Sequence, residues 1–146
     1  MSKLSEQLMK HEGLRLMPYK DSLGYLTIGV GRNLEHNGIT QAEAMAMLEH
    51  DMAVAEMALR KEYPVLFQTE HLDDVRRDAV VNLCFNMGIV RLSGFKKMIA
   101  ALDERDWARA AKEAKNSRWA TQVQPERVKD ICYMLEHGKY PETVKV

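Results

Sequence analysis

The sequence predicts an α+β chain, mostly helical, with a small hairpin-bearing N-terminal lobe and a helical C-terminal lobe. Three observations predict it. Apolar residues change from a helical period to a period of two after Tyr19. A stretch free of Gly and Pro runs from Gln41 to Tyr63, and past Pro64 the pattern is helical throughout. At 146 residues, 46% hydrophobic and 29% charged, the chain has the size and makeup of a single domain with a real core.

Leu4, Leu8 and His11 share one face at helical spacing, so residues 3–11 read as a short helix stopped by Gly13. Glu12 then stands at a helix end. In the next segment Leu26, Ile28 and Val30 alternate with Tyr25, Thr27, Gly29 and Gly31, the pattern of one half-buried strand. "DSLG" is the turn of a hairpin whose first strand lies near Met17–Lys20. A strand face built from glycines lets a ligand approach the backbone closely.

Thr40 and Glu43 have capping-box spacing and open a helix of about 22 residues, roughly 33 Å long. Further helices are expected near 71–87, 94–103 with Ser93 as cap, 106–115 with Trp107 buried at its start, 118–122, and 125–136 beginning at Pro125. The N-terminal lobe is placed at about 13–60, and the C-terminal lobe at about 61–146 together with the first helix.

Net charge is zero but unevenly spread, at +1 over residues 1–30, −6 over 31–75 and +5 over 76–146. The aromatics do not interleave with the C-terminal bases as in a nucleic-acid groove, so no nucleic-acid partner is expected and the basic half reads as a solvated face. Cys84 and Cys132 lie in apolar helical patterns and are expected as free thiols in a reducing compartment. No apolar stretch suits a signal peptide or a membrane span, so the cytoplasm is the expected location and no stable membrane insertion is expected. His11, His36, His50, His71 and His137 lack metal-ligand spacing, so neither a metal nor a cofactor is expected.

Glu12 and Asp21 form a candidate acid/base pair, because hydrolysing an acetal needs a protonated donor and an ionised partner at once. Glu12, near the apolar junction of helix and hairpin, is the candidate to hold its proton, and Asp21, at a solvated turn, to stay ionised. On spacing alone a second reading stays open, in which Glu12 is a helix-end salt-bridge partner and Asp21 a turn residue bonding its own backbone.

The stretch "HEGLRLMPYKDSLGYLTIGVGR" resembles the active-site segment of the phage-type lysozymes, the T-even endolysins of glycoside hydrolase family 24. Their signature is E-G-x-R-L, Y-x-D, G, then T-I-G-x-G. "VRRDAVVNLCFNMG", "SGF", "DWARAA", "SRW" and "QPERVKDI" resemble later segments of that family in order. The resemblance implies a two-lobed lysozyme-like fold and cleavage of the β-1,4 bond from N-acetylmuramic acid to N-acetylglucosamine in peptidoglycan. It implies Glu12 as general acid, Asp21 as catalytic carboxylate and Thr27 as the hydroxyl that helps place water, in a single inverting displacement. Such a displacement requires carboxyls about 6.5–9.5 Å apart.

By the same resemblance Phe85 and Asn86 line the sugar site, although the face carrying Phe85 also suits plain core. Arg127 matches a basic residue that pairs with the catalytic glutamate, a pairing that opposes the protonated form. Where relatives have a histidine after the strand this chain has Arg32, and Asp51 takes the place of its acidic partner, so an Arg32–Asp51 ion pair is expected. Met98 and Glu113 replace a serine and an asparagine, which puts those sugar contacts in doubt, and the loop "NLEHNG" is shorter than in relatives.

The family further implies a monomer acting in host lysis, released from the host cytoplasm through a membrane opened by a separate holin. The rival readings are a lytic transglycosylase, which would need no water-placing Asp21 and Thr27, and a non-catalytic peptidoglycan-binding module. A zinc amidase lacks the required ligand spacing.

Overall fold

A computed structural model describes residues 1–142. The chain divides into two compact units, Met1–Leu48 and Glu49–Val146.

In the first unit α1 covers Lys3–Glu12. The Ser2 hydroxyl caps it by accepting from the Ser5 amide at 3.0 Å. Gly13, at φ 79°, ends it with its N–H on the Met9 carbonyl, a left-handed turn that a side chain would resist. Strands β1 (Arg15–Lys20), β2 (Leu26–Gly29) and β3 (Arg32–Asn33) follow as an antiparallel sheet in that order. The β1–β2 register is irregular between Arg15 and Tyr19, the stretch that holds Pro18, which has no N–H for a ladder and is tolerated on an edge strand. The third strand is an addition to the expected hairpin. Two residues are too few to carry an alternating pattern.

In β2 Thr27 is buried, paired across with Tyr19 on one side and Asn33 on the other, while Leu26 is exposed and Ile28 half-buried.

Helix α2 spans Gln41–Glu62, and the boundary between units falls inside it. Its capping box forms as the spacing predicts: the Glu43 amide donates to Thr40 Oγ1 at 3.1 Å and the Thr40 amide to Glu43 Oε2 at 2.9 Å. The sequence pattern sets the lobe boundary near residue 60 and groups the first helix with the later lobe; the compact units divide at Leu48 and Glu49, with α1 and the three strands both in the first.

The second unit holds the core. It adds α3 (Pro64–Phe67), α4 (Asp74–Met87), α5 (Ile89–Leu92), α6 (Lys96–Asp103), α7 (Trp107–Lys115), α8 (Arg118–Gln122) and α9 (Pro125–His137). Among the described residues every buried apolar side chain belongs to this unit, with Leu59, Phe67, Leu83, Leu102, Ile131 and Leu135 fully enclosed. Helices α3 and α5, four residues each, escape the sequence reading because one turn cannot display a helical period. Ser93 caps the C-terminus of α5 and donates to the Ile89 carbonyl at 2.8 Å, so it is not the N-cap of α6. Trp107 is only partly buried, covered by the Arg76 guanidinium 4.1 Å above its ring. Cys84 and Cys132 are free, the first buried and the second half-buried, and burial pushes both thiols up. Among the described residues no helix is long and apolar enough to cross a membrane.

Candidate active site

Glu12, Asp21 and Thr27 all stand in the first unit, each at a different kind of position. Glu12 is the last residue of α1 and is exposed, in contrast to the buried setting the sequence suggested. The cause is local, since no residue of α1 is buried. No hydrogen bond or ion pair from the other residues of its own unit reaches its carboxylate. What the side chain meets is Gly31, where a Cβ would lie 3.0 Å from Oε2, 3.1 Å from Cδ and 3.2 Å from Cγ.

Asp21 sits in the turn between β1 and β2. Its amide donates to the Tyr25 carbonyl at 2.9 Å, and its carbonyl accepts from the Gly24 amide at 2.9 Å. Its Oδ1 accepts from the amides of Leu23 and Tyr25, both at 2.9 Å. The side chain therefore does what a turn aspartate does, closing the turn on its own backbone. Only one oxygen is used for this, and among the described residues nothing donates to Oδ2. A carboxylate held by one oxygen with the other open is oriented and still able to accept a proton.

Thr27 Oγ1 donates to the Tyr25 carbonyl at 2.9 Å. The hydroxyl proton is thereby committed, and the oxygen is left as an acceptor. Tyr25 thus links the two residues: its amide holds Asp21 and its carbonyl orients Thr27.

Between β2 and β3, Gly29 and Gly31 both take positive φ, 71° and 72°. Arg32 follows. Its two terminal nitrogens reach the two oxygens of Glu43, both at 2.8 Å, and Nη1 also donates to the Gly38 carbonyl at 3.2 Å. Hydrogen bonding and the charge of Glu43 raise the Arg32 guanidinium further, and hydrogen bonds from Arg32 and from the Thr40 amide hold Glu43 down to about 2. The expected Arg32–Asp51 pair is thus replaced. Glu43, in the first turn of α2, is held by its capping box where it can take the guanidinium in a fork. Asp51 lies farther along α2, exposed, in the second unit, with no ion pair among the described residues.

In the second unit Phe85 is 43% exposed on α4, which excludes the plain-core alternative. Asn86 Oδ1 accepts from Trp119 Nε1 at 2.9 Å, so the amide is fixed with its NH2 group turned away from the indole. Trp119 itself is buried on α8, and nothing in the sequence pairs it with Asn86 across 33 positions. Arg127 is half-buried in the first turn of α9 and lines a cavity of about 330 Å³ with Asp78, Asp130 and Tyr140. Met98 is fully buried in the core, which takes it out of reach of a sugar, and Glu113 is half-buried on α7. Among the described residues no cluster of three His, Cys, Asp or Glu side chains could hold a metal ion.

The residues that sequence reasoning missed are Gly31, as the space the acid occupies, and Glu43, as the partner of Arg32. The capping motif identified Glu43, but its second bond was not legible.

A family model described as phage lysozyme matches residues 9–131. The chain is 31% identical to a probable T4-type lysozyme 1 of Dictyostelium discoideum, covering 94% of this chain and 96% of that one. It is 30% identical to a probable T4-type lysozyme 2 of the same organism, covering 97% and 98%. It is 29% identical to a pre-baseplate central spike protein of Enterobacteria phage T4, over 82% of this chain and 25% of that protein.

Proposed function

Since this chain belongs to the phage lysozyme family, and is by that membership a glycoside hydrolase with lysozyme activity on peptidoglycan, we propose that Glu12, Asp21 and Thr27 carry out its chemistry as a single displacement. Glu12, in its protonated form, gives its proton to the oxygen of the β-1,4 bond between N-acetylmuramic acid and N-acetylglucosamine. A water molecule attacks the anomeric carbon from the opposite side as the glycosidic bond breaks. Asp21 takes the water's proton, and Thr27 helps place the water. The product is an inverted hemiacetal and a free hydroxyl on the leaving sugar.

The observation that carries this reading is the way Asp21 is held. Its Oδ1 is committed to two backbone amides, which orients Oδ2 without occupying it. Thr27 supports it with an oxygen left free to accept. On the second unit Phe85 and Asn86 are assigned to contact the glycan, Asn86 through the NH2 group that Trp119 leaves available. Arg127 is assigned a supporting role. The biological setting that fits the family is host-cell lysis by a monomeric endolysin, released from the host cytoplasm once a holin has opened the membrane.

Clearing of chloroform-treated Gram-negative cells by the parent and by Glu12→Gln tests the acid. The variant is expected to lose clearing, and equal clearing by both would remove Glu12 from the mechanism. Product analysis tests the rest. An inverted reducing end is expected, a retained anomer would replace the single displacement by a double one, and a 1,6-anhydro end would make the chain a lytic transglycosylase. Binding without any cleavage would leave a wall-binding module.

A further inference from the structure

Within its own unit the Glu12 carboxylate takes no hydrogen bond or ion pair, yet a proton donor must be held within about 0.5 Å of its productive position. In that unit the side chain lies beside Gly31, whose missing side chain leaves the space that Oε2, Cδ and Cγ of Glu12 border at 3.0–3.2 Å from an added Cβ. Where Gly31 stands therefore limits where the acid can lie on that side.

Gly31 ends the short connection, Val30–Gly31, between β2 and β3, whose last pairing is Ile28 with Arg32. The strand that follows has only two residues, and a ladder of that length fixes little by itself. Arg32 makes up for it with its side chain. Its guanidinium meets both oxygens of Glu43 at 2.8 Å and the Gly38 carbonyl at 3.2 Å. Glu43 is in turn fixed at the start of α2 by its reciprocal bonds with Thr40.

We infer that the Arg32–Glu43 pair is a positioning device for the proton donor: it ties the Gly31 loop to the first turn of α2 and so sets where the Glu12 carboxyl stands. The inference rests on the proposed role of Glu12. Isolated exposed ion pairs contribute little to stability, and Arg32 and Glu43 are each about 40% exposed in their side chains. The forked geometry and the capping network give this pair a fixed direction, which is what positioning needs. Its effect belongs in turnover rather than in substrate affinity, because neither residue is assigned a sugar contact.

The test is steady-state kinetics on soluble peptidoglycan oligosaccharides for the parent, Arg32→Met, Glu43→Gln, the double variant and Arg32→Lys, measured well below each thermal midpoint. Each single variant is expected to lower kcat about tenfold or more with KM held within about twofold. The double variant should be no slower than the slower single, since both remove one interaction. Arg32→Lys should recover part of the loss, as a lysine keeps the charge without the fork. Should Glu43→Gln fail to fold, Glu43→Asp keeps the charge and the backbone bond to Thr40 Oγ1 while shortening the reach to Arg32, and a lowered kcat is again expected. Parent-level kcat in the single variants, or a raised KM at unchanged kcat, overturns the inference and leaves the pair a purely structural contact. Glu12→Gln in the same assay separates the two readings: if it retains parent activity, the role of Glu12 fails, whatever Arg32 and Glu43 do.

Discussion

The side chain of Glu12 fills the space beside the α-carbon of Gly31, such that a methyl group on the glycine would stand 3.0 Å from Glu12 Oε2. Nineteen positions separate them in the chain. The contact explains why the loop after β2 ends in glycine: φ at Gly31 is 72°, and the space beside it is taken.

A pair of alanine substitutions separates these two reasons. Gly31→Ala and Gly29→Ala both place a side chain at positive φ, at a cost of about 1–2 kcal/mol each. A Cβ at Gly29 meets nothing within 4 Å, whereas one at Gly31 meets Glu12. The two variants should therefore show similar drops in thermal midpoint, while Gly31→Ala lowers kcat about tenfold or more and Gly29→Ala leaves it near the parent value. Equal activities would mean that Glu12 does not depend on this contact.

Asp21 combines a turn function with a proposed chemical one, and two substitutions divide them. Asp21→Asn keeps an acceptor for the amides of Leu23 and Tyr25 but removes the negative charge. Circular dichroism and thermal midpoint should stay close to the parent, while activity falls by about 100-fold or more, the usual contribution of a general base. Asp21→Ala should lose activity equally and also about 1–2 kcal/mol of stability, from the two amides left unpaired. An active Asp21→Asn would return this residue to a turn former only.

Acid sensitivity of the second unit should centre on Asp73 and Arg76. Arg76, 9% exposed, donates to the carbonyls of Leu135 and Glu136 and to Asp73 Oδ2, each at 2.7 Å, and so joins the start of α4 to the end of α9. Partial burial pushes the Asp73 carboxyl up, but the Arg76 amide and guanidinium outweigh it and hold Asp73 below the ordinary carboxylate range.

With its folded value depressed, Asp73 contributes stability above the unfolded value of about 3.9 and loses it as the pH falls through the lower folded value. Urea midpoints measured from pH 6 downward, across roughly that range, should fall in the parent and fall less in Asp73→Asn. Arg76→Met should cost about 1–3 kcal/mol at neutral pH, mainly because it strands the carbonyls of Leu135 and Glu136, while the exposed Asp73 carboxylate is rehydrated. A pH-independent midpoint in the parent would dismiss the pair as the source.

Features set within one turn of helix or one tight turn were readable from the residues themselves. Thr40 as a helix start, Gly13 as a stop, Asp21 closing the hairpin and Pro125 opening the last helix all depend on neighbours at most four positions away. Helices of a single turn and the two-residue third strand were not readable, since a period needs more than one repeat to show.

The amino-acid sequence alone pointed to the family and to the longer local elements, and nominated Glu12, Asp21 and Thr27 as candidates. Tertiary structure decided the partners: Glu43 in place of Asp51 for Arg32, Gly31 beneath Glu12, Trp119 on Asn86, and Arg76 on the end of α9. The physical reason is range. Backbone preference and capping act between near neighbours, whereas these contacts join positions 11 to 60 apart, and only the folded path of the chain fixes which distant groups arrive within bonding distance.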